Sequence, residues 1–246
     1  MLIELRQAGR AFQGTWALSH LTESLHSGSV YAILGANGAG KSTLLRLLAG
    51  WLPLTAGKIL LNDSPIRPTA THLRRQILLL EETSSGSAQR PVGPLRELCR
   101  AIDDYDSDRP GIEDEVAEWF ERLGLVSVCG SATAEMSKGE AYKIAMIGLF
   151  VIAPAVWLLD EPFSAGLDAD GLQVLETQIR GHVERGGLVV FSSQWPDHAR
   201  RLADWALVLD KGRIAWSAPP DEVPPKTVTN EASASLRAVL QGLGPA

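Results

Sequence analysis

The chain has 246 residues, of which 45% are hydrophobic, and a formal net charge of −6 at pH 7. This length and apolar content suffice for one large globular domain or two small ones, and the negative charge argues against nucleic acid as the main partner. Cys99 and Cys129 lack metal-ligand spacing and indicate no disulfide framework. Glu4 follows only three uncharged residues, which argues against a signal peptide. We therefore expect a cytoplasmic protein.

Short apolar runs in the first third of the chain predict strands. They cover residues 2–5, 21–25, 30–34, 58–61 and 77–80, and a helical pattern covers 44–49. The strand over 30–34 is separated from that helix by the sequence GANGAGKST, residues 35–43. This sequence fits the pattern G-x-x-x-x-G-K-[ST], and the order of strand, glycine loop and helix predicts a phosphate site.

The residue types of this loop suit an anion. Glycines allow the backbone N–H groups to surround a phosphate, and the N-terminus of the helix adds a positive dipole. Lys41 is expected on the β- and γ-phosphates of a nucleotide, and the Ser42 hydroxyl on Mg²⁺. The predicted ATP-binding residues of the loop are Gly35, Asn37, Gly38, Ala39, Gly40, Lys41, Ser42 and Thr43.

The middle of the chain differs in composition and reads as helical. Helices are predicted over residues 95–102 and 112–123, the second ending at Gly124. The uncharged segment 144–159 is shorter than the roughly 18–20 apolar residues that span a bilayer, and Pro154 interrupts it. We interpret it as the end of a buried helix, a turn and a buried strand, so any membrane contact is expected through a partner.

Strands and helices alternate again in the last third. Strands are predicted over 156–159, 188–191, 206–209 and 213–216, and helices over 171–184 and 197–203. This alternation indicates an α/β nucleotide-binding core. The predicted division is a core of residues 1–82 and 151–220, a helical subdomain of residues 83–150, and a tail of residues 221–246.

Two carboxylates end the predicted strand over 156–159. Asp160 is placed to hold Mg²⁺, and Glu161 to act as general base on an attacking water.

These motifs stand in the order found in one family. Over about residues 1–216 the chain resembles the ATP-binding cassette (ABC) ATPase subunit of ABC transporters. Residues 35–43 resemble its Walker A motif, 156–160 its Walker B motif with Glu161 as catalytic glutamate, and 164–168 its D-loop. The segment Met136–Glu140 stands where the signature belongs, and Phe12 where an aromatic ring stacks on adenine.

The resemblance implies a P-loop NTPase (RecA-like) core with an N-terminal β-subdomain and an inserted helical subdomain. It also implies a head-to-tail homo- or heterodimer, with each ATP between Walker A of one chain and Ser137 and Gly139 of the other, beside Asp168. Transmembrane permease subunits would hold the dimer at the inner face of the cell membrane. Segment 136–140 also reads as an ordinary helix cap, with Ser137 as N-cap and Glu140 three residues on.

The chain departs from the family pattern at two site positions. Glu82 stands where a Q-loop glutamine is expected; its carboxylate is expected to bind Mg²⁺ but adds negative charge beside the γ-phosphate. Gln194 occupies the position of the switch histidine and has no titratable proton. A shift of register would instead place His198 there; a surface histidine on the following helix is the other interpretation.

The leading hypothesis is an ATPase that couples ATP-driven dimer closure to transport, with export as the expected direction. The alternative is a degenerate subunit that hydrolyses ATP slowly within a heterodimer. A soluble ABC protein of repair or translation is disfavoured, because the chain has neither paired cassettes nor a long coiled coil.

Overall fold

The computed structural model describes residues 1–70, 75–81, 99, 111–130 and 136–222. Its strands are β1 Leu2–Phe12, β2 Thr15–His26, β3 Ser29–Leu34, β4 Ala56–Leu61, β5 Ser64–Pro65, β6 Ile77–Leu80, β7 Val156–Leu159, β8 Leu188–Ser193, β9 Trp205–Asp210 and β10 Arg213–Ala218. Its α-helices are α1 Lys41–Leu48, α2 Ile112–Arg122, α3 Lys138–Ile152, α4 Ala169–Glu184 and α5 Pro196–Leu202. The predicted helix over 95–102 and the tail 223–246 lie outside the described residues, apart from Cys99.

A six-stranded sheet forms the centre of the molecule, in the order β10-β9-β3-β8-β7-β6. Five of its strands pair in parallel, and β10 joins β9 antiparallel. All residues of β7 and β8 are buried, as expected of parallel strands covered on both faces. The carboxyl ends of β3, β7 and β8 therefore meet at one edge, where α/β sheets bind ligands.

The N-terminal strands form a second, four-stranded sheet in the order β2-β1-β4-β5. The predicted strands 2–5 and 21–25 are too short, because β1 has 11 residues and β2 has 12. Gln7 and His20 have positive φ angles of 53° and 56°, and the pairing of β1 with β2 is irregular in this part of the sheet. These irregularities break the alternation of polar and apolar residues by which a strand is recognised.

Helices α2 and α3 pack on each other through a separate apolar cluster that includes Val116, Phe120, Ile147 and Val151. Helix α2 ends at Arg122, and the predicted Gly124 follows its capping residue Leu123 with a φ of 69°. Segment 144–159 forms the end of α3, a left-handed turn at Ala153 and strand β7, which confirms its interpretation. Among the described helices, none is both long and apolar enough to cross a membrane.

Candidate active site

The glycine loop runs from the end of β3 to the start of α1, which begins at Lys41, three residues before the predicted helical pattern over 44–49. Gly40 has a φ of 107°, and a Cβ atom there would lie 2.6 Å from Leu18 Cδ2. A Cβ atom at Gly35 would lie 2.6 Å from the Leu209 carbonyl oxygen. Only glycine fits these two positions, because the loop lies directly on β2 and β9.

Lys41 is the buried cation of the loop, with 6% of its surface exposed. Its Nζ donates to the carbonyl oxygens of Gly35, at 2.9 Å, and Ala36, at 3.3 Å. The same Nζ lies 3.1 Å from Glu161 Oε1. A buried ammonium needs such partners, and its position beside the glycine loop suits it to receive phosphate oxygens.

A serine of the neighbouring strand joins the carboxylate of Asp160 to the backbone of Glu161, the two acidic residues after β7. Asp160 is buried, and its Oδ1 accepts a 2.5 Å hydrogen bond from Ser192 Oγ. The backbone N–H of Glu161 donates to the same hydroxyl at 2.8 Å. Glu161 has a positive φ of 47°, a conformation that is strained for a non-glycine residue and common at functional sites.

Most of the predicted site residues line one cleft of about 470 Å³. It is lined by Ala17, Asn37, Gly38, Gly40, Lys41, Ser42, Thr43, Asp160, Glu161 and Gln194. Gly35 and Ala39 shape the loop instead: Gly35 accepts from Lys41, and the Ala39 N–H donates to the Ala36 carbonyl oxygen at 3.1 Å. Sequence analysis does not identify Ala17, which lines the cleft, or Ser192, which bonds to Asp160, because neither residue belongs to a motif.

The oxygen donors of the cleft suit a magnesium ion. Ser42 offers a hydroxyl and Asp160 a carboxylate, both hard ligands of the type that Mg²⁺ prefers. The described part of the chain contains no group of three or more His, Cys, Asp or Glu residues able to hold a metal. Mg²⁺ in this cleft would therefore depend on phosphate oxygens of the nucleotide, as is usual for this ion.

Gln194 and His198 differ in their relation to the cleft. Gln194 follows β8 and lines the cleft. His198 lies on α5, as expected, but it is half-buried: its Nδ1 is 2.9 Å from Ser193 Oγ and its ring is 4.4 Å from that of Phe163. Burial, and secondarily Arg201, lowers the pKa of His198. His198 is not among the residues that line the cleft, which favours Gln194 for the switch position.

Phe12 lies at the end of β1, outside the cleft lining, with 41% of its surface exposed. It pairs with Thr15 across the hairpin, and Ala17 stands two residues further along β2. Ala17 lies at an irregularity of that pairing, between Trp16, which pairs with Ala11, and Leu18, which pairs with Arg10. The Arg10 guanidinium covers the Phe12 ring at 4.6 Å.

The remaining predicted residues form a second group around the N-terminus of α3. Ser137 caps α3 in a capping box with Glu140: the Ser137 N–H and hydroxyl donate to Glu140 Oε2 at 2.8 and 2.7 Å. A Cβ atom at Gly139 would lie 2.3 Å from the Gly166 carbonyl oxygen, so residues 164–168 lie against this helix end. None of these residues lines the cleft.

Asp168 belongs to this second group and joins two helices. It caps α4 by accepting from the Gly171 N–H at 2.8 Å, and its other oxygen accepts from Lys143 Nζ at 2.7 Å. The hydrogen bond from Lys143 and that from Gly171 lower the pKa of Asp168. Glu82 lies outside the described residues; its neighbour Glu81 forms a 2.5 Å ion pair with Arg46 of α1.

Known proteins resemble the chain in sequence. The family model described as ABC transporter matches residues 18–164. The cytochrome c biogenesis ATP-binding export protein CcmA of Pseudomonas fluorescens is 35% identical over 170 residues, 69% of this chain and 77% of that protein. The nickel import ATP-binding protein NikO of Rhodobacter capsulatus is 32% identical over 242 residues, 91% of each chain.

Solved structures resemble it in fold. An ATP-binding subunit of an ABC transporter superposes with a TM-score of 0.81 at 21% identity, covering 97% of this chain and all of that one. CbiO1 of Clostridium perfringens superposes with a TM-score of 0.73 at 25% identity, covering 96% of each chain. These matches confirm the predicted P-loop NTPase fold, and the family match covers the glycine loop and the two carboxylates. The chain belongs to the ABC transporter family, as an ATP-binding subunit with ATPase activity.

Proposed function

We propose that this chain is the energy-coupling subunit of an ABC transporter and hydrolyses Mg²⁺-bound ATP in the cleft between the glycine loop, β7 and β8. One observation carries the proposal. Lys41 and Glu161, both largely buried, lie 3.1 Å apart in a cleft that Ser42 and Asp160 also line. A cation for phosphate, two oxygen ligands for a metal and a carboxylate base are thus within one site.

Each side chain has a distinct part in the reaction. Lys41 exchanges its contacts with Gly35, Ala36 and Glu161 for phosphate oxygens, and the backbone N–H groups of the loop bind the remaining charge. Glu161, released from Lys41, is free to accept a proton from the water that attacks the γ-phosphate. Ser42 and Asp160 would hold Mg²⁺, which neutralises charge on the phosphates when it is bound.

The site is completed by a second cassette. The exposed Ser137 hydroxyl and the first N–H groups of α3 form an anion-binding end that is not part of the cleft in its own chain. We propose that they bind the γ-phosphate held by Walker A of the other chain in a head-to-tail dimer. Asp168 would stand at that interface, and Phe12 would stack on adenine at the rim of the cleft. Glu82 remains proposed for the Q-loop.

Transport requires membrane partners. We propose that permease subunits hold the dimer at the inner face of the cell membrane and dock on the groove between the core and the helical subdomain, near Glu82. CbiO1, which has the same fold, is described as part of the transporter complex cbiONQ. Export remains our prediction of direction; the relatives named above include one export protein and one import protein.

Two experiments test the proposal: an ATPase assay on the purified protein and identification of the proteins that co-purify with it. We expect ATP hydrolysis that requires Mg²⁺, and co-purification of an integral membrane protein when the tagged chain is extracted from membranes. Hydrolysis without a metal requirement would refute the Mg²⁺ site. A chain recovered entirely without membrane proteins would refute the coupling role.

The slow, degenerate subunit stays the second candidate, because Gln194 lines the cleft where an imidazole is expected. A neutral amide can orient a water or a phosphate oxygen but cannot carry a proton between them. This candidate predicts slow turnover by the isolated chain and a faster rate when a second, catalytic cassette is added. Normal turnover by the isolated chain would exclude it.

A further inference from the structure

We propose that Ser192 is a positioning residue for ATP hydrolysis: its buried hydroxyl ties the Asp160 carboxylate to the Glu161 backbone and so sets the positions of both acidic residues in the cleft.

Ser192 is placed where it can act on both residues at once. It is fully buried, at 0% exposure, near the end of β8, the strand that lies between the P-loop strand β3 and the strand β7. It stands opposite Ile33 of β3 in the parallel register. On the other side, Leu159 pairs with Phe191, so Asp160 emerges beside Ser192.

The hydroxyl uses its proton and a lone pair on two different partners. The proton goes to Asp160 Oδ1 at 2.5 Å, and a lone pair accepts the Glu161 N–H at 2.8 Å. Because a hydroxyl has one proton, these two bonds determine its orientation. With Oδ1 engaged, the plane of the Asp160 carboxylate is restricted and its second oxygen remains for a ligand in the cleft.

The bond to the Glu161 N–H bears on the position of the proposed base. Glu161 has a φ of 47°, a left-handed conformation that is unfavourable for a non-glycine residue and persists only when its surroundings hold it. The Ser192 oxygen is the acceptor that holds this N–H. In this conformation the Glu161 side chain reaches Lys41, 3.1 Å away. Loss of the hydroxyl would leave a part-buried N–H without its acceptor and allow the base to move.

Two substitutions at Ser192 separate the effect of the hydroxyl group from the effect of side-chain volume. Ser192→Ala removes both hydrogen bonds, whereas Ser192→Thr keeps the hydroxyl and adds a methyl group to a fully buried position. If the hydroxyl positions the carboxylates, Thr should be the better replacement. If Ser192 only fills space, Thr should be the worse one, because overpacking is itself unfavourable.

Ser217→Ala is the matched control. The Ser217 hydroxyl also accepts from an N–H, Trp205 Nε1 at 2.8 Å, and donates to a carboxylate, Glu23 at 2.7 Å. It lies on β10, away from the cleft. The control therefore removes hydrogen bonds of the same two kinds, one accepted and one donated, at a position away from the active site.

For Ser192→Ala we expect kcat to fall on the order of tenfold, as for loss of a hydrogen bond to a charged group, with less than about a threefold change in KM for ATP. Titration calorimetry with a non-hydrolysable ATP analogue supplies a second measurement. The gain in affinity that Mg²⁺ confers should fall several-fold, while the affinity without metal stays the same. Ser192→Thr should recover most of both properties, and Ser217→Ala should match the wild type.

Wild-type kcat in Ser192→Ala, a lower kcat in Ser192→Thr than in Ser192→Ala, or an equal loss in Ser217→Ala would each overturn the proposal. If Ser192→Ala does not fold, Ser192→Cys, of similar volume but with weak hydrogen bonding, replaces it with the same expected loss. The Mg²⁺ measurement rests on the proposed function: a wild type that gains no affinity from Mg²⁺ would refute the metal site, whereas the kcat comparison would still test Ser192.

Discussion

The phosphate cleft and the N-terminus of α3 both present backbone N–H groups suited to an anion, but they balance charge differently. In the cleft, Lys41 and Asp160 are buried, and each has a partner on an element distant in sequence: Glu161 after β7 for Lys41, and Ser192 of β8 for Asp160. At α3, Ser137 is exposed and is bonded to Glu140, three residues away on the same helix. The cleft therefore depends on the assembled sheet, whereas the helix end is satisfied locally.

This difference has a consequence for mutation. Removing one member of a buried, partnered group leaves its partner unsatisfied, so changes in the cleft should have large effects. Removing an exposed capping residue should cost only the stability that its capping hydrogen bond contributes. Substitutions in the two regions test this contrast.

Glu161→Gln should lower kcat by a factor on the order of 10² or more, because an amide cannot act as general base. ATP binding should persist, since Lys41 is freed of its carboxylate partner, and a dimer trapped with ATP should elute early in size exclusion. Glu184→Gln, at the exposed end of α4, is the control of equal charge change. Unchanged turnover in Glu161→Gln would mean that Glu161 is not the base.

Lys41→Ala should weaken binding of MgATP by a factor on the order of 10², because charge-assisted contacts to phosphate are lost in a partly buried site. It should also destabilise the fold, since Glu161 is left without its cation. Titration calorimetry and thermal unfolding measure the two effects, with the exposed Lys58→Ala as control. A folded Lys41→Ala protein of normal ATP affinity would exclude the glycine loop as the phosphate site.

Gln194→His should raise turnover of the isolated chain by a few-fold, because it supplies a titratable imidazole in the cleft. The gain is modest, since positioning by Lys41 and the base Glu161 supply most of the catalysis. Steady-state ATPase rates measure it. A native rate typical of the family together with a lower rate in Gln194→His would make Gln194 a working substitute and remove the degenerate-subunit alternative.

Ser137→Ala should reduce the free energy of unfolding by about 1 kcal/mol, the usual value of an N-cap serine, as measured by urea denaturation. Nucleotide affinity of the monomer should stay normal, because Ser137 does not line the cleft. A loss of monomer affinity comparable to that of Lys41→Ala would contradict the separation of the two regions.

Asp168→Ala should cost about 1 kcal/mol near neutral pH, again mainly as a lost cap. Solvent reaches the Asp168 carboxylate, whose side chain is 61% exposed, and screens its ion pair with the buried Lys143. The pKa of Asp168 is lowered in the folded state, so its ionic contribution is present above its unfolded pKa of about 3.9 and is lost as the pH falls through its folded pKa. Urea denaturation at pH 7 and at the lowest pH where the protein folds should show the difference shrinking. A constant difference would mean that the Asp168 charge contributes nothing.

Sequence patterns predicted the central sheet well and the N-terminal sheet poorly. The parallel strands are continuous apolar runs because both faces are covered, and such runs are visible without a structure. In β1 and β2, the positive φ angles of Gln7 and His20 shift the pairing, so neither strand alternates over its full length. His198 was rightly expected on a helix, but its burial against Phe163 and Ser193 depends on how α5 returns to the sheet.

The phosphate loop, the two carboxylates after β7 and the cap of α3 are predictable from the sequence, since each depends on residues close together in the chain. The residues that join them at the site are known only from the folded chain. Ala17 and Gln194 enter the cleft, and Ser192 reaches Asp160, because strands distant in sequence are neighbours in the two sheets. Backbone conformation and helix capping are local properties, whereas the partners of a buried charge are set by the order in which strands pair.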